Sequence, residues 1–284
     1  MTSVNARVGR RPGRRFARRH ATLVYVLIAT ASTIVVFGVA AAVIVSSPGW
    51  PSVKASFFDW SEVRTWFRPV LNAFWLNVKI FTVCEIAVLI CALGIAVLRS
   101  LPGAVFFPLR AFAIFYADLF RGIPTILVIY LLGFGVPALQ LSGVPNDPLF
   151  WGGVALVLVY TAYVAEVYRA GIESVHPSQE AAARSLGLTR GQALRFVVLP
   201  QAVRRVVPPL LNDFIGLQKD TALVGLLGPI EAFNQSNIAA QGDFNFTPYL
   251  IAAALFVAIT IPLARFTDWL IARERRSRQV ARAA

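Results

Sequence analysis

Apolar runs of membrane-spanning length alternate along this chain with short polar or basic stretches. The runs cover about residues 22–45, 70–98, 106–136, 150–169, 207–229 and 248–271. A helix needs about 20 mostly apolar residues to cross the hydrocarbon core of a bilayer, so each run is expected to span it. The pattern predicts an all-α integral membrane protein with six transmembrane helices. Residues 46–68 mix Pro, Gly, Trp and a few charges, as an interfacial segment does, and 138–148 form a short polar loop before Trp151 marks an interface. A polar connection, 230–247, precedes the last run, and Pro102-Gly103 form a turn after Arg99. In the third run Pro124 removes a backbone donor and frees the carbonyl near Phe120. A kinked, partly unwound third helix is expected there.

One stretch, between the fourth and fifth runs, is basic, helix-forming and compatible with water. Pro177 suits the first turn of a helix and Ser178 its cap region, and Gln179 to Leu186 are mostly good helix formers. Gly187 falls where a left-handed C′ residue belongs. Thr189 with Gln192 three residues on reads as a capping box for a second helix, expected to run to about Leu199 and to stop at Pro200. Ala181, Ala182 and Ala183 make the first of these helices thin, and a thin helix can enter a groove on a partner. The pattern predicts a helix–turn–helix lying along one membrane face, built to dock something.

Composition and charge sharpen this picture. A length of 284 residues alone would suggest one or two soluble domains, but the chain is 57% hydrophobic and only 14% charged. The net charge of +13 is concentrated at the ends, with seven arginines in the first twenty residues and five more from Arg273 to Arg282. Basic clusters flanking apolar spans mark cytoplasmic ends, so the charge points to membrane topology, and no nucleic-acid partner is expected. With the N-terminus inside, six spans leave only Lys54, Arg64 and Arg68 outside. Both termini, Arg99, Arg110 and the 169–205 loop are then cytoplasmic. The first run is too long for a cleaved signal core and reads as a retained signal-anchor. Cys84 and Cys91, about 10 Å apart along one helix, read as packing residues.

Charges within the spans must face protein or water, since each costs roughly 3 kcal/mol at the bilayer centre. Lys79 and Glu85 lie on different faces and need partners elsewhere, whereas Asp118 and Arg121 are spaced to pair. On the fifth span Asn212, Gly216 and Lys219 share one face and Asp213 and Asp220 the neighbouring one, a polar stripe expected to face the bundle interior. Lys79, Glu85, Arg121, Glu166, Asn212 and Lys219 are the candidates for a translocation path. Arg265 and Asp268 read as an interfacial pair. The two histidines, His20 and His176, form no metal-ligand motif, and there is no nucleophile elbow and no phosphate-binding loop. No catalytic or metal site is expected.

Four ordered landmarks carry a resemblance. The loop Gln179-Glu180-Ala181-Ala182-Ala183, with Gly187 and then Val197-x-Leu199-Pro200, resembles the cytoplasmic loop of ABC-importer permeases. Arg121-Gly122-Ile123-Pro124, Ala165 through Ile172, and Pro208-Pro209 through Lys219-Asp220-Thr221 resemble motifs of the polar amino-acid uptake branch. With Gly187 setting the register, the glutamate of that loop motif falls on Ala181, and Glu180 is displaced by one residue.

The resemblance covers about 70–272 and implies a five-helix permease core with its coupling loop at 171–205. An added N-terminal helix and external segment (21–69) precede it, between basic cytoplasmic tails at 1–20 and 273–284. It further implies a cell-membrane importer subunit for a polar amino acid, two separate ATP-binding-cassette ATPases carrying the ATP-Mg, a second permease that is identical or homologous, and an external substrate-binding protein. No cofactor is implied for this chain itself. Glutamate, glutamine, aspartate, arginine and histidine all fit, and the overall likeness tilts toward glutamate. An ion-coupled carrier or channel would account for the intramembrane charges but not for the docking helix. An intramembrane enzyme working through carboxylates is the third reading.

Overall fold

The computed structural model describes residues 13–101 and 103–283, and side chains within 25–101 and 103–273. Most of the basic stretch 1–20, Pro102 of the expected turn, and the side chains of the basic C-terminal stretch beyond Arg273 lie outside the described residues. The described residues form helices with no strands. The chain divides into two units, Met1–Phe58 and Asp59–Ala284.

The first unit holds α1 (Gly13–Val45) and α2 (Trp50–Phe57). The apolar part of α1, Tyr25–Val45, is long enough to span a bilayer, and every described side chain in it is exposed. Thr30, Ser32 and Thr33 turn their hydroxyls back to carbonyls of the same helix, which leaves no polar atom open to lipid at those positions.

The second unit is a helical bundle. It comprises α3 (Trp60–Ser100), α4 (Phe107–Gly122), α5 (Thr125–Ala138), α6 (Pro148–Glu173), α7 (Pro177–Ser185), α8 (Arg190–Ala193), α9 (Leu199–Asp220), α10 (Ala232–Asp243) and α11 (Thr247–Ala283). α6 is the central helix and packs against α3, α4, α5 and α9. Its inward face is built largely of small residues, among them Gly152, Ala155, Ala162, Ala165 and Gly171, which let neighbouring backbones approach. A Cβ at Gly152 would lie 2.8 Å from Val224, and one at Gly171 would overlap Val206. Around α6, Ile129, Leu156, Val159, Leu217 and Val224 form the fully buried core.

Several elements depart from the sequence expectation. The third run is two helices: α4 and α5 meet at 103° across Ile123 and Pro124, a far sharper break than a kink. Proline at 124 denies α4 continuation and holds Ile123 extended (φ −99°, ψ 131°). The loop's second helix does not stop at Pro200. Residues Leu194–Val198 wind as a π-helix, in which the Leu199 N–H reaches the Leu194 carbonyl, and α9 begins at once with Pro200 in its first turn. The wide turn removes the contact between the proline ring and the preceding carbonyl that would otherwise break the helix.

The fifth run is likewise not one α-helix. α9 carries Arg204, Arg205, Asp213, Lys219 and Asp220, and the chain then narrows to a 3₁₀ segment, Thr221–Leu227, ending at Gly228 (φ +113°). By length and apolarity four helical stretches qualify as spans, or five when the bent α4–α5 pair is counted as one. α9 does not qualify because of its charges, so the expected six are not reproduced on this measure. The polar connection before the last run carries an ordered helix, α10. α11 runs on past 271 to Ala283.

Candidate functional site

The basic loop folds largely as its sequence dictates; besides the passage through Pro200, the cap of its first helix differs. α7 is capped by His176, whose Nδ1 accepts from the Ser178 N–H at 3.2 Å, and not by Ser178. At its other end Gly187 takes φ +91°, its N–H bonds the Arg184 carbonyl at 3.0 Å, and the Leu188 N–H bonds the Ala183 carbonyl at 3.3 Å. This pair of bonds is a Schellman ending with glycine at C′. Thr189 and Gln192 form the expected reciprocal capping box, which turns the chain into α8.

The rotation of α7 is fixed from beneath. Ala183 is buried against the turn, and Val175, Val198 and Ala202 make a small apolar core of their own under it. Ala181, Ala182 and Leu186 face outward, with Leu186 83% exposed. Gln179 lies on the exposed rim, 3.5 Å from Gln201, and Glu180 approaches Arg190 at 3.7 Å. The loop therefore presents a narrow alanine ridge ending in an unpacked leucine, on a frame tied by its own hydrogen bonds. Leu199 and Pro200 are the entry to α9, behind this ridge.

Inside the bundle a second arrangement forms around Glu166. Its carboxylate pairs with Arg99 at 2.7 Å, with Arg121 at 3.9 Å and with Arg169, which also holds Glu173. Arg121, Tyr163, Glu166 and Asp213 line a cleft of about 180 Å³. Oδ2 of Asp213 is buried there with no hydrogen-bond partner.

Two of the six path candidates thus meet at this cleft, Arg121 and Glu166, and Glu85 is not among its lining residues. Lys79 does not line it either; it lies exposed on the outer side of α3. Asn212 and Lys219 are exposed on this chain, so the stripe of α9 that faces inward is the neighbouring one. Gly216 sets that rotation by packing on Tyr160, and Tyr160 donates to Asp220 at 3.0 Å. Arg121 pairs with Glu166 across the bundle rather than with Asp118, which is exposed. Arg265 and Asp268 do pair, at 3.4 Å.

A third polar group had no counterpart among the expectations. Glu231, fully buried, accepts from the N–H groups of Phe233 and Asn234 at the start of α10 and from Asn77 Nδ2 at 2.9 Å. Asn77 in turn accepts from the Ala232 N–H and donates to Thr221. The knot joins α3, the 3₁₀ segment and α10 through pairs about 150 residues apart in sequence. Asp213 and Tyr163 are further cleft residues that the path candidates did not include. The sequence signal for Asp213 was its being a charge in a span, on the stripe it shares with Asp220.

Comparison with known proteins accords with this geometry. The family described as "Binding-protein-dependent transport system inner membrane component" matches residues 97–276. The "Probable glutamine ABC transporter permease protein GlnM" of Bacillus subtilis (strain 168) is 33% identical over 66% of this chain and 85% of its own length. The "Arginine transport system permease protein ArtQ" of the same organism is 33% identical over 73% of this chain and 93% of its own. The "Glutamate/aspartate import permease protein GltK" of Escherichia coli O6:H1 is 32% identical over the same shares. Among solved structures, a chain from "an amino acid ABC transporter with histidines" superposes with a TM-score of 0.68 at 28% identity, covering 76% of this chain and 98% of that one. The methionine transporter MetNI, at 19% identity and a TM-score of 0.55, shares the fold. The chain belongs to the family of binding-protein-dependent transport system inner membrane components and groups with the permease subunits of amino-acid ABC transporters: a multi-pass membrane transport subunit, not an enzyme, whose ATPase is a separate chain.

Proposed function

We propose that this chain is the permease of an importer that carries a polar amino acid inward, and that the α7–α8 loop couples it to the ATPase. The observation that carries this reading is the outward ridge of Ala181, Ala182 and Leu186 on a frame closed at Gly187 by a left-handed turn. Two ATPases hold the ATP-Mg and engage two such loops, one from this chain and one from a second permease, identical or homologous. An external binding protein delivers the substrate. Both termini are cytoplasmic. Substrate passes by the cleft of Arg121, Glu166 and Asp213, where a fixed guanidinium and an unpaired carboxylate suit the two charges of an amino acid. Glutamate is the first candidate, with glutamine, aspartate, arginine and histidine behind it; the relatives divide among several of these.

The test is ATP-dependent uptake of labelled amino acids into vesicles holding the permease, its ATPase and its binding protein. Uptake is expected to need ATP and to vanish in Gly187→Val with the permease still inserted. Uptake driven by an ion gradient without ATP points to a carrier instead and overturns the proposal.

A further inference from the structure

Lys79 is the path candidate that the fold leaves exposed on the outer side of α3. Its side chain joins the lining of a groove of about 600 Å³ between α3 and α6, where it is the only charged residue. The rest of the lining is carbon or sulfur, from Ile80, Val83, Ala87 and Phe150 down to Val157 and Leu158. The floor is tight: Cys84 lies 3.6 Å from the Gly153 carbonyl. Lys79 has no ion-pair or hydrogen-bond partner among the described residues.

Depth matters here. Lys79 is level with Leu149 and Phe150, in the first turn of α6, and lies four residues, about 6 Å, below the exposed Trp75 on α3. Trp151, whose indole bonds the Pro145 carbonyl, stands one residue beyond Phe150 on α6. Aromatic belts of this kind sit at headgroup height, and a lysine one turn below can snorkel up to it. An apolar furrow lined in part by the stem of an unpaired, exposed lysine has the two parts of one ligand's complement: carbon for an acyl chain, and an ammonium beside it for a phosphate.

We infer that the groove holds a tightly bound anionic phospholipid, its acyl chain along Val83, Ala87, Gly153 and Val157 and its phosphate on Lys79. Lys79 is then a headgroup-selecting residue and lies off the transport route. This rests on the membrane-spanning reading of α3 and α6 and is independent of which amino acid is carried.

The test is native mass spectrometry of the full-length permease. It is released from nanodiscs containing equal amounts of phosphatidylglycerol and phosphatidylcholine of matched chains. One lysine near a charged headgroup is worth about 1 kcal/mol, so the wild type is expected to retain phosphatidylglycerol roughly fivefold over phosphatidylcholine. Lys79→Gln should keep a bound lipid but lose the preference. Gly153→Leu should shed both lipids, because a Cβ there meets only Cys84 Sγ, at 3.7 Å, and the rest of the side chain enters the groove; an unchanged melting temperature checks that the fold is kept. Equal preference in wild type and Lys79→Gln overturns the headgroup contact. Spontaneous disulfide dimers of Val83→Cys, with no lipid retained by the wild type, assign the groove to a second copy instead. Failure of amino-acid uptake leaves these readouts untouched, so the two proposals stand or fall separately.

Discussion

Glu231 has no exposed surface and three donors aimed at its carboxylate, two of them the free N–H groups that open α10. Removing it strands those donors and the Asn77 amide in a buried setting. Glu231→Ala is therefore expected to cost on the order of 3 kcal/mol, read as a lowered melting temperature and a reduced yield of inserted protein. Because Asn77 serves the same knot, the Asn77→Ala/Glu231→Ala double variant should lose less than the sum of the two single losses. Nothing local in the sequence announces this pair: Asn77 sits in an apolar run and Glu231 at the head of what reads as a polar connection. Gly187 is the opposite case, legible from its neighbours alone. A Cβ there would touch nothing, so the requirement is purely for a positive φ. Gly187→Asn should retain ATPase co-purification, since asparagine tolerates that conformation, whereas Gly187→Val should lose it.

At the level of elements, caps and turns were readable and helix junctions were not. The capping box at Thr189 and the helix end at Gly187 depend on residues within one turn of each other. The junction at Pro200 depends on a π-turn upstream of it, and the start of α10 on a carboxylate paired across the bundle. The rotation of α9 was missed for a related reason: Asn212 and Asp213 lie 100° apart on one helix, and only the fit of Gly216 on Tyr160 decides which of them turns inward. A similar contact joins α6 to α9, where Gly171 leaves just enough room for Val206. Gly171→Ala is expected to destabilise the protein by about 1–3 kcal/mol through overpacking. Thermal unfolding in detergent should show most of that loss restored in Gly171→Ala/Val206→Ala, and an absence of rescue would detach the effect from this contact.

For the whole molecule, the hydropathy pattern established the class at once, because lipid admits only chains whose backbone bonds close within each segment. By length and apolarity five of the six runs qualify as spans when the bent α4–α5 pair is counted as one. α9 does not, because it carries five charges and rests on the surrounding helices. A single permease offers one α7 ridge, and native mass spectrometry of the assembled importer is expected to find two permeases with two ATPases. One permease with two ATPases would contradict the docking role.

The small core under α7 has a mechanical consequence. Val175, Val198 and Ala202 lock α7 to the root of α9, and the Arg205 guanidinium clamps the Ser174 carbonyl across the same joint. The loop is thus a crank and not a tether. On the coupling role proposed above, a push on α7 passes through this joint into the root of α9, and Asp213 lies about 16 Å further along that helix, beyond Pro208 and Pro209. Softening the joint with Val198→Gly/Ala202→Gly should leave ATPase binding and ATP hydrolysis in place while uptake per ATP consumed falls severalfold: the engine turning with the shaft slipping.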